Sequence, residues 1–101
     1  MAYKNSGESE KVFDYFEESL RTFESIKDTL GIANMLNNLG VFYFEQAAYD
    51  KAIEYYLRSL YLSEALGDIT RIGTAKVNIG SVYASSGKHL DFSNRLLLAG
   101  V

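Results

Sequence analysis

Three asparagine side chains are the residues whose chemistry points most directly to molecular recognition. Asn37 and Asn38 form a pair, and Asn78 follows later in a similar local sequence. An amide side chain carries hydrogen-bond donors and an acceptor, so it can bond to the backbone of an extended peptide. The same groups can also bond to neighbouring loops or to water. The residues by themselves leave these two roles open.

Catalytic and metal-binding chemistry has little support in the sequence. His89 is the single histidine, there is no cysteine, and no Ser/Asp arrangement accompanies the histidine. The acidic residues Asp14 and Glu18 fall on a helix face that the pattern predicts to be solvated. The glycines lie at expected helix crossings and ends, not in a phosphate-binding loop. We therefore predict a protein that is not an enzyme and that has no metal site and no cofactor.

Composition narrows the class of protein and its partners. The chain has 101 residues, is 48% apolar, contains no proline and carries a net charge of −3. These values predict one folded domain, and the charge does not favour binding to nucleic acid. No apolar run approaches the roughly 18–20 residues that span a bilayer. We expect a cytoplasmic protein that binds neither nucleic acid nor membranes.

Apolar residues recur at helical spacing along most of the chain. The first stripe consists of Val12, Phe13, Phe16, Leu20, Phe23 and Ile26. It predicts a helix over residues 8–27, and similar stripes predict helices that end near residues 46, 66, 85 and 98. Asp28 and Asp68 are candidate N-caps, and Gly67 is a candidate helix terminator. We therefore expect an all-α fold of about five helices.

The sequence repeats itself at a constant offset of forty positions. The matched pairs include Lys11 with Lys51, Tyr15 with Tyr55, Ser19 with Ser59, Asp28 with Asp68, Asn38 with Asn78 and Gly40 with Gly80. A fixed period of this length is typical of arrays in which helix pairs stack on their neighbours. Aromatic residues recur at helical spacing too, which predicts core positions for Tyr15, Phe16, Tyr43, Tyr55, Tyr56 and Tyr83. Tyr61 and Phe44 are less tied to the repeated pattern and are candidates for contact surfaces.

One motif in this repeat resembles the tetratricopeptide repeat family. The matching positions are Leu36-x2-Leu39-Gly40-x2-Tyr43, followed by Ala52-x3-Tyr56. The resemblance implies stacked antiparallel helix hairpins, a fragment of an α-solenoid. Gly40 and Ala52 are small where two helices are expected to cross. Glu64 stands where the family has proline, so the third predicted helix can run on to Leu66 and lengthen the period.

The resemblance also implies a function. Members of the family bind a peptide segment of a partner protein in a concave groove lined by the first helix of each pair. In this register the peptide-binding residues are Asn34, Asn37, Asn38, Val41, Phe44, Glu45, Thr74, Asn78 and Ser81. Asn38 and Asn78 match the asparagine that precedes Leu-Gly in the longer relatives and contacts the peptide there. Arg71 and Lys76 are either charges for an acidic partner or solvated cations on a helix face.

The repeat register divides one domain, residues 1–101, into unequal parts. Residues 8–27 are an orphan second helix, residues 32–66 a complete repeat, and residues 72–98 an atypical or truncated repeat. Lys76 departs from the pattern, because it occupies the position of Leu36, where a large apolar residue is expected.

The first predicted helix has no preceding partner, so we expect it to expose apolar surface. Arrays usually cover such ends with polar caps. Two alternatives to peptide recognition therefore stay open. The chain could associate with itself, by dimerisation or by exchange of terminal helices, or it could be a regulatory segment of a larger signalling protein.

Overall fold

A computed structural model describes residues 7–87 and shows four helices stacked in antiparallel hairpins. The helices are α1 (Gly7–Ser25), α2 (Thr29–Glu45), α3 (Tyr49–Leu66) and α4 (Ile69–Ser86). The predicted all-α class and hairpin architecture are confirmed. The helix predicted to end near residue 98 lies outside the described residues, so four described helices stand close to the expected number of about five.

Two aspartates at matching positions of the repeat begin α2 and α4 in the same way. The Asp28 carboxylate accepts a hydrogen bond from the Gly31 N–H at 3.0 Å, and the Asp68 carboxylate accepts one from the Arg71 N–H at 3.1 Å. Each bond satisfies one of the amides that have no partner within the first turn of a helix. Both predicted N-caps are therefore confirmed.

A residue with positive φ follows each of the four helices. After α3 and α4 this residue is glycine, Gly67 with φ 68° and Gly87 with φ 75°. After α1 and α2 it is Lys27 with φ 59° and Ala47 with φ 60°, the residues at the matching positions of the preceding unit. The left-handed conformation suits glycine, whereas a side chain there costs about 1–2 kcal/mol. The first two turns are thus more strained than the last two.

Close contact between α2 and α3 depends on a glycine. A Cβ atom placed on Gly40 would lie 2.5 Å from Cδ1 and Cε1 of the Tyr56 ring. The Ser59 hydroxyl donates a hydrogen bond to the Ala33 carbonyl at 3.0 Å, and Ala52 is fully buried. The predicted role of Gly40 and Ala52 as small residues at a helix crossing is confirmed.

Two groups of buried side chains hold the stack together. The first, between α1 and α2, consists of Leu20, Leu36 and Leu39. The second lies between α3 and α4 and consists of Ala52, Tyr56, Leu60, Ala75, Ile79, Val82 and Tyr83. The prediction that Tyr15 is a core residue is wrong: its side chain is 69% exposed, because it lies on the side of α1 that faces away from α2. Among residues 7–87, neither group covers the sides of α2 and α4 that carry Asn37 and Asn78, so these two sides can form a common surface.

Candidate functional site

Two hydrogen bonds between side chains connect α2 with α4. Asn78 Nδ2 donates to Asn37 Oδ1 at 2.9 Å, and Arg71 Nε donates to Asn34 Oδ1 at 3.0 Å. These bonds join residues far apart in the sequence, so they set the first helices of successive repeat units side by side. We call the surface between these two helices the α2–α4 groove.

The predicted peptide-binding residues belong to the two helices that border this groove. On α2 they are Asn34, Asn37, Asn38, Val41, Phe44 and Glu45, and on α4 they are Thr74, Asn78 and Ser81. Steps of three and four residues place each set along one side of its helix. The structure brings Asn37 and Asn78 into direct contact. It joins Asn34 to Arg71, a residue whose role the sequence left open.

The Asn37–Asn78 pair keeps part of its bonding capacity. Their mutual bond uses Oδ1 of Asn37 and one N–H of Asn78. Within residues 7–87, Nδ2 of Asn37 and Oδ1 of Asn78 make no further hydrogen bond, and both side chains are half-buried. An amide has donors and an acceptor, so the pair still offers a donor and an acceptor to a ligand. Asn38 is exposed beside this pair.

Arg71 does not present an uncompensated positive charge to the groove. Its Nη1 lies 3.0 Å from Asp68 Oδ2, while its Nε bonds to Asn34. The guanidinium is therefore held by a carboxylate and an amide. Lys76 is exposed and lies outside the groove, on the side of α4 that carries Gly73 and Gly80. Neither cation is placed to attract an acidic peptide into the groove.

The end of the groove near the C-terminus of α2 combines apolar side chains with the exposed carboxylate of Glu45. Val41 and Phe44 are half-buried and pack against the core between α3 and α4. The centroid of the Phe44 ring lies 5.9 Å from that of Tyr49. Burial, and next the Glu45 carboxylate, raise the pKa of the nearby Tyr56 hydroxyl above 10.0. The groove thus changes from polar at the Arg71 end to a mixture of apolar side chains and one carboxylate at the Phe44 end.

Thr74 and Ser81 are accessible, although no hydrogen bond joins either of them to the asparagines within the described helices. Both are exposed on α4. The Ser81 hydroxyl donates to the Val77 carbonyl at 3.0 Å, so its proton is used inside its own helix. Its oxygen can still accept a bond from a ligand.

A cleft of about 470 Å³ lies away from the groove, where α1 and α3 approach α2. Its lining consists of Glu24, Ile32, Leu36, Leu57, Arg58, Tyr61 and Leu62. No sequence pattern predicted this cleft. The one signal for it was Tyr61, which lies outside the repeated pattern and is 74% exposed. The lining is mostly apolar, with one carboxylate and one guanidinium.

Metal coordination and membrane insertion find no support in the same part of the chain. Across residues 7–87, no group of three or more His, Asp or Glu side chains is placed to hold a metal ion. No helix within that range has the length and apolar character needed to cross a bilayer.

Helix hairpins, a glycine at the helix crossing and side-chain hydrogen bonds between successive first helices are typical of an α-solenoid repeat protein. The family model for the tetratricopeptide repeat matches residues 31–91. The chain therefore belongs to the tetratricopeptide repeat family, and the resemblance seen in the sequence is confirmed. No curated protein and no solved structure matches the chain. Tetratricopeptide repeats are generally non-catalytic modules for protein–protein interaction.

Proposed function

We propose that this protein is a non-catalytic interaction module that binds an extended peptide segment of a partner protein in the α2–α4 groove. Membership of the tetratricopeptide repeat family supports protein binding in general. The observation that carries the assignment to this groove is the Asn37–Asn78 hydrogen bond, which places a pre-oriented pair of amides between α2 and α4.

The chemistry of the amide pair suits a peptide backbone. Each residue of an extended peptide presents one N–H and one C=O group. Asn37 Nδ2 can donate to a peptide carbonyl, and Asn78 Oδ1 can accept from a peptide N–H. The bond between the two side chains already restricts their rotamers, so less conformational entropy is lost when a peptide binds. Asn38 supplies a further exposed amide at the edge of the groove.

The rest of the groove indicates what kind of peptide fits. Arg71 is neutralised by Asp68, so the groove has no need of an acidic peptide. Val41 and Phe44 offer apolar surface at the other end. The expected ligand is an extended segment without acidic side chains, with an apolar or aromatic side chain near one end. We also propose a cytoplasmic location without nucleic-acid or membrane partners; the net charge of −3 supports the exclusion of nucleic acid.

The test begins with peptides selected from a random displayed library on the full chain. The Kd of a selected peptide is then measured by fluorescence anisotropy for the wild type, Asn38→Ala and Asn78→Ala. Because hydrogen bonds contribute about 1 kcal/mol each, we expect each substitution to weaken binding roughly fivefold. Asn38 is exposed and makes no side-chain bond within residues 7–87, so Asn38→Ala should keep the wild-type melting temperature.

The matched control is Ser25→Ala, which removes an exposed polar group on α1, outside the groove. It should leave the Kd unchanged. If the selected peptides bind Asn38→Ala and Asn78→Ala as tightly as the wild type, the assignment to the groove is wrong.

A further inference from the structure

Two faces at opposite ends of the helix stack lack a packed neighbour among the described residues. On α1, the residues Tyr15, Glu18, Ser19, Thr22 and Phe23 line a shallow hollow of about 210 Å³. We call this surface the α1 outer face. On α4, helical spacing places Ile69, Gly73, Lys76, Val77 and Gly80 on one side, the α4 outer face. Ile69 is 79% exposed and Val77 is 68% exposed, values unusual for apolar side chains on a folded helix.

We propose that the α4 outer face of one copy of this chain binds the α1 outer face of a second copy. The internal repeat supports this choice of partner. The repeat offset aligns α1 with α3 and α4 with α2, and α2 and α3 pack against each other within the molecule. A pair made of α4 and the next copy's α1 would therefore repeat a packing that the chain already uses. The proposal does not depend on peptide binding in the α2–α4 groove.

The contacts between α2 and α3 have counterparts in this pairing. Ser59 donates to the Ala33 carbonyl, and the equivalent residues are Ser19 and Gly73. Ser19 is half-buried, and within residues 7–87 its hydroxyl makes no hydrogen bond. The next copy's Ser19 would then donate to the carbonyl of Gly73.

Room for a ring is also present on α4. Tyr56 packs against Gly40, and the equivalent residues are Phe16 and Gly80. Within the described part of the chain, a Cβ atom at Gly73 or Gly80 would meet no atom within 4 Å. An aromatic side chain can therefore approach the α4 backbone as closely as Tyr56 approaches that of α2.

The α4 and α1 outer faces carry opposite charges at positions where α2 and α3 have a different pair of residues. Leu36 lines a cleft with Leu62 and Arg58 of α3. The equivalent residues are Lys76 on α4 and Thr22 and Glu18 on α1. Where Leu36 lies near Arg58 within the molecule, Lys76 of one copy would therefore lie near Glu18 of the next. This opposite-charge pair favours the α4–α1 contact between copies, because complementary charges select one partner over others.

The helices as a whole show the same complementarity. The α1 sequence contains six carboxylates and two cationic residues, whereas α4 contains two cations and no carboxylate. Because the two binding faces differ, the contact is heterologous and builds head-to-tail chains or rings, not a two-fold symmetric dimer.

Sedimentation velocity over a range of concentrations tests the proposal on the full chain. The weight-average sedimentation coefficient should rise with concentration, and less so at high salt. Lys76→Glu and Glu18→Lys should each weaken association roughly fivefold to tenfold, because each sets like charges face to face. An equimolar mixture of the two variants should associate again, since every contact between unlike copies then pairs opposite charges.

The matched control is Lys51→Glu, which makes the same change of charge at an exposed position on α3. It should associate like the wild type. A sedimentation coefficient that is independent of concentration would overturn the proposal, and so would equal weakening by Lys51→Glu and Lys76→Glu. If residues 88–101 of the same chain cover the α4 outer face, the sedimentation coefficient will be independent of concentration.

Disulfide trapping gives a second readout, which reports directly whether two chosen positions meet between copies. The chain has no cysteine, so introduced thiols are the only ones present. Chains with Ser19→Cys mixed with chains with Gly73→Cys should form a disulfide-linked dimer under mild oxidation. Chains with Lys51→Cys mixed with chains with Gly73→Cys should not. Equal yields from the two mixtures would contradict the proposed pairing.

Discussion

The motif at Gly40 and its repeat at Gly80 have the same sequence spacing and different surroundings. At Gly40 the ring of Tyr56 covers the α2 backbone, and Leu36 in the same helix is only 2% exposed. At Gly80 the described part of the chain leaves open space, and Lys76 at the position of Leu36 is exposed. The motif therefore encodes a helix face suited to close packing, and the neighbouring helix decides whether that face is core or surface.

The turns beside α2 are less favourable than those beside α4, although α2 is the better packed of the two helices. Lys27 and Ala47, which flank the well-packed α2, take up left-handed conformations that strain a residue with a side chain. Gly67 and Gly87, which flank α4, take up the same conformations without that strain. The better packing of α2 thus compensates for less suitable turns, whereas α4 has suitable turns and one face that the other described helices leave uncovered.

Substitutions at Leu36 and at the equivalent Lys76 should show the largest difference in the free energy of unfolding. Leu36→Ala should lower the free energy of unfolding by about 2–5 kcal/mol, because it removes buried methyl groups and leaves a cavity. Lys76→Ala, at the equivalent position, should change it by less than about 0.5 kcal/mol. Urea denaturation at a concentration where the chain is monomeric measures both. Similar losses for the two variants would show that Lys76 is packed as Leu36 is.

Substitutions of Gly40 and Gly80 should show the next largest difference in the free energy of unfolding. Gly40→Ala should lower the free energy of unfolding by about 1–3 kcal/mol, because its methyl group would overlap the Tyr56 ring. Gly80→Ala should raise it by up to about 1 kcal/mol, because alanine favours a helix more than glycine does. Thermal denaturation of the two variants, at a concentration where the chain is monomeric, checks this difference. A loss of stability in Gly80→Ala would indicate a neighbour on that face.

A substitution in the turn after α2 should have a smaller effect and should stabilise the protein. Ala47→Gly should raise the free energy of unfolding by about 0.5–1 kcal/mol, since relief of the left-handed strain exceeds the entropy that glycine adds to the unfolded chain. Ala65→Gly, at an exposed position inside α3, is the control and should lower it by a similar amount. If Ala47→Gly destabilises the protein as much as Ala65→Gly does, the turn is not strained.

Two buried and two half-buried tyrosines predict a small loss of stability at high pH. Burial is the main cause that raises the pKa of Tyr43, Tyr55, Tyr56 and Tyr83 above 10.0. Below pH 10 these hydroxyls are protonated in both the folded and the unfolded chain, so they add no pH dependence. Above pH 10 the unfolded chain loses its protons first, and stability therefore falls as pH rises.

Tyr56→Phe tests this cause. The variant should show a shallower fall in the free energy of unfolding above pH 10 than the wild type. Tyr61→Phe, which alters an exposed tyrosine, should keep the wild-type slope. An unchanged slope in Tyr56→Phe would remove burial of Tyr56 as a cause.

Much of the fold was predictable from the sequence, because its determinants are local and repeated. The Asp28 and Asp68 caps and the small residue at Gly40 are recognisable from residue type and spacing. The positive φ of Lys27 and Ala47 was missed, since neither residue type signals it. The only indication lay in Gly67 and Gly87, the residues at the matching positions of the next unit.

The sequence predicted which residues belong to the candidate site, but it did not predict the hydrogen bonds between them. Helical spacing places Asn37 and Asn78 on the sides of their helices that form the groove. Their mutual hydrogen bond depends on the angle and offset between α2 and α4, which packing against α3 determines. The same holds for Arg71, which the sequence left between two roles and which the structure joins to Asn34 and Asp68.

Recognition of a peptide in the α2–α4 groove is the central claim, and chemical-shift mapping tests it most directly. A library-selected peptide is titrated into ¹⁵N-labelled full chain, and the backbone and side-chain amide resonances are followed. We predict the largest shifts along α2 and α4, with the side-chain amides of Asn37, Asn38 and Asn78 among them. Shifts confined to the cleft around Arg58 and Tyr61, with these asparagines unmoved, would contradict the claim.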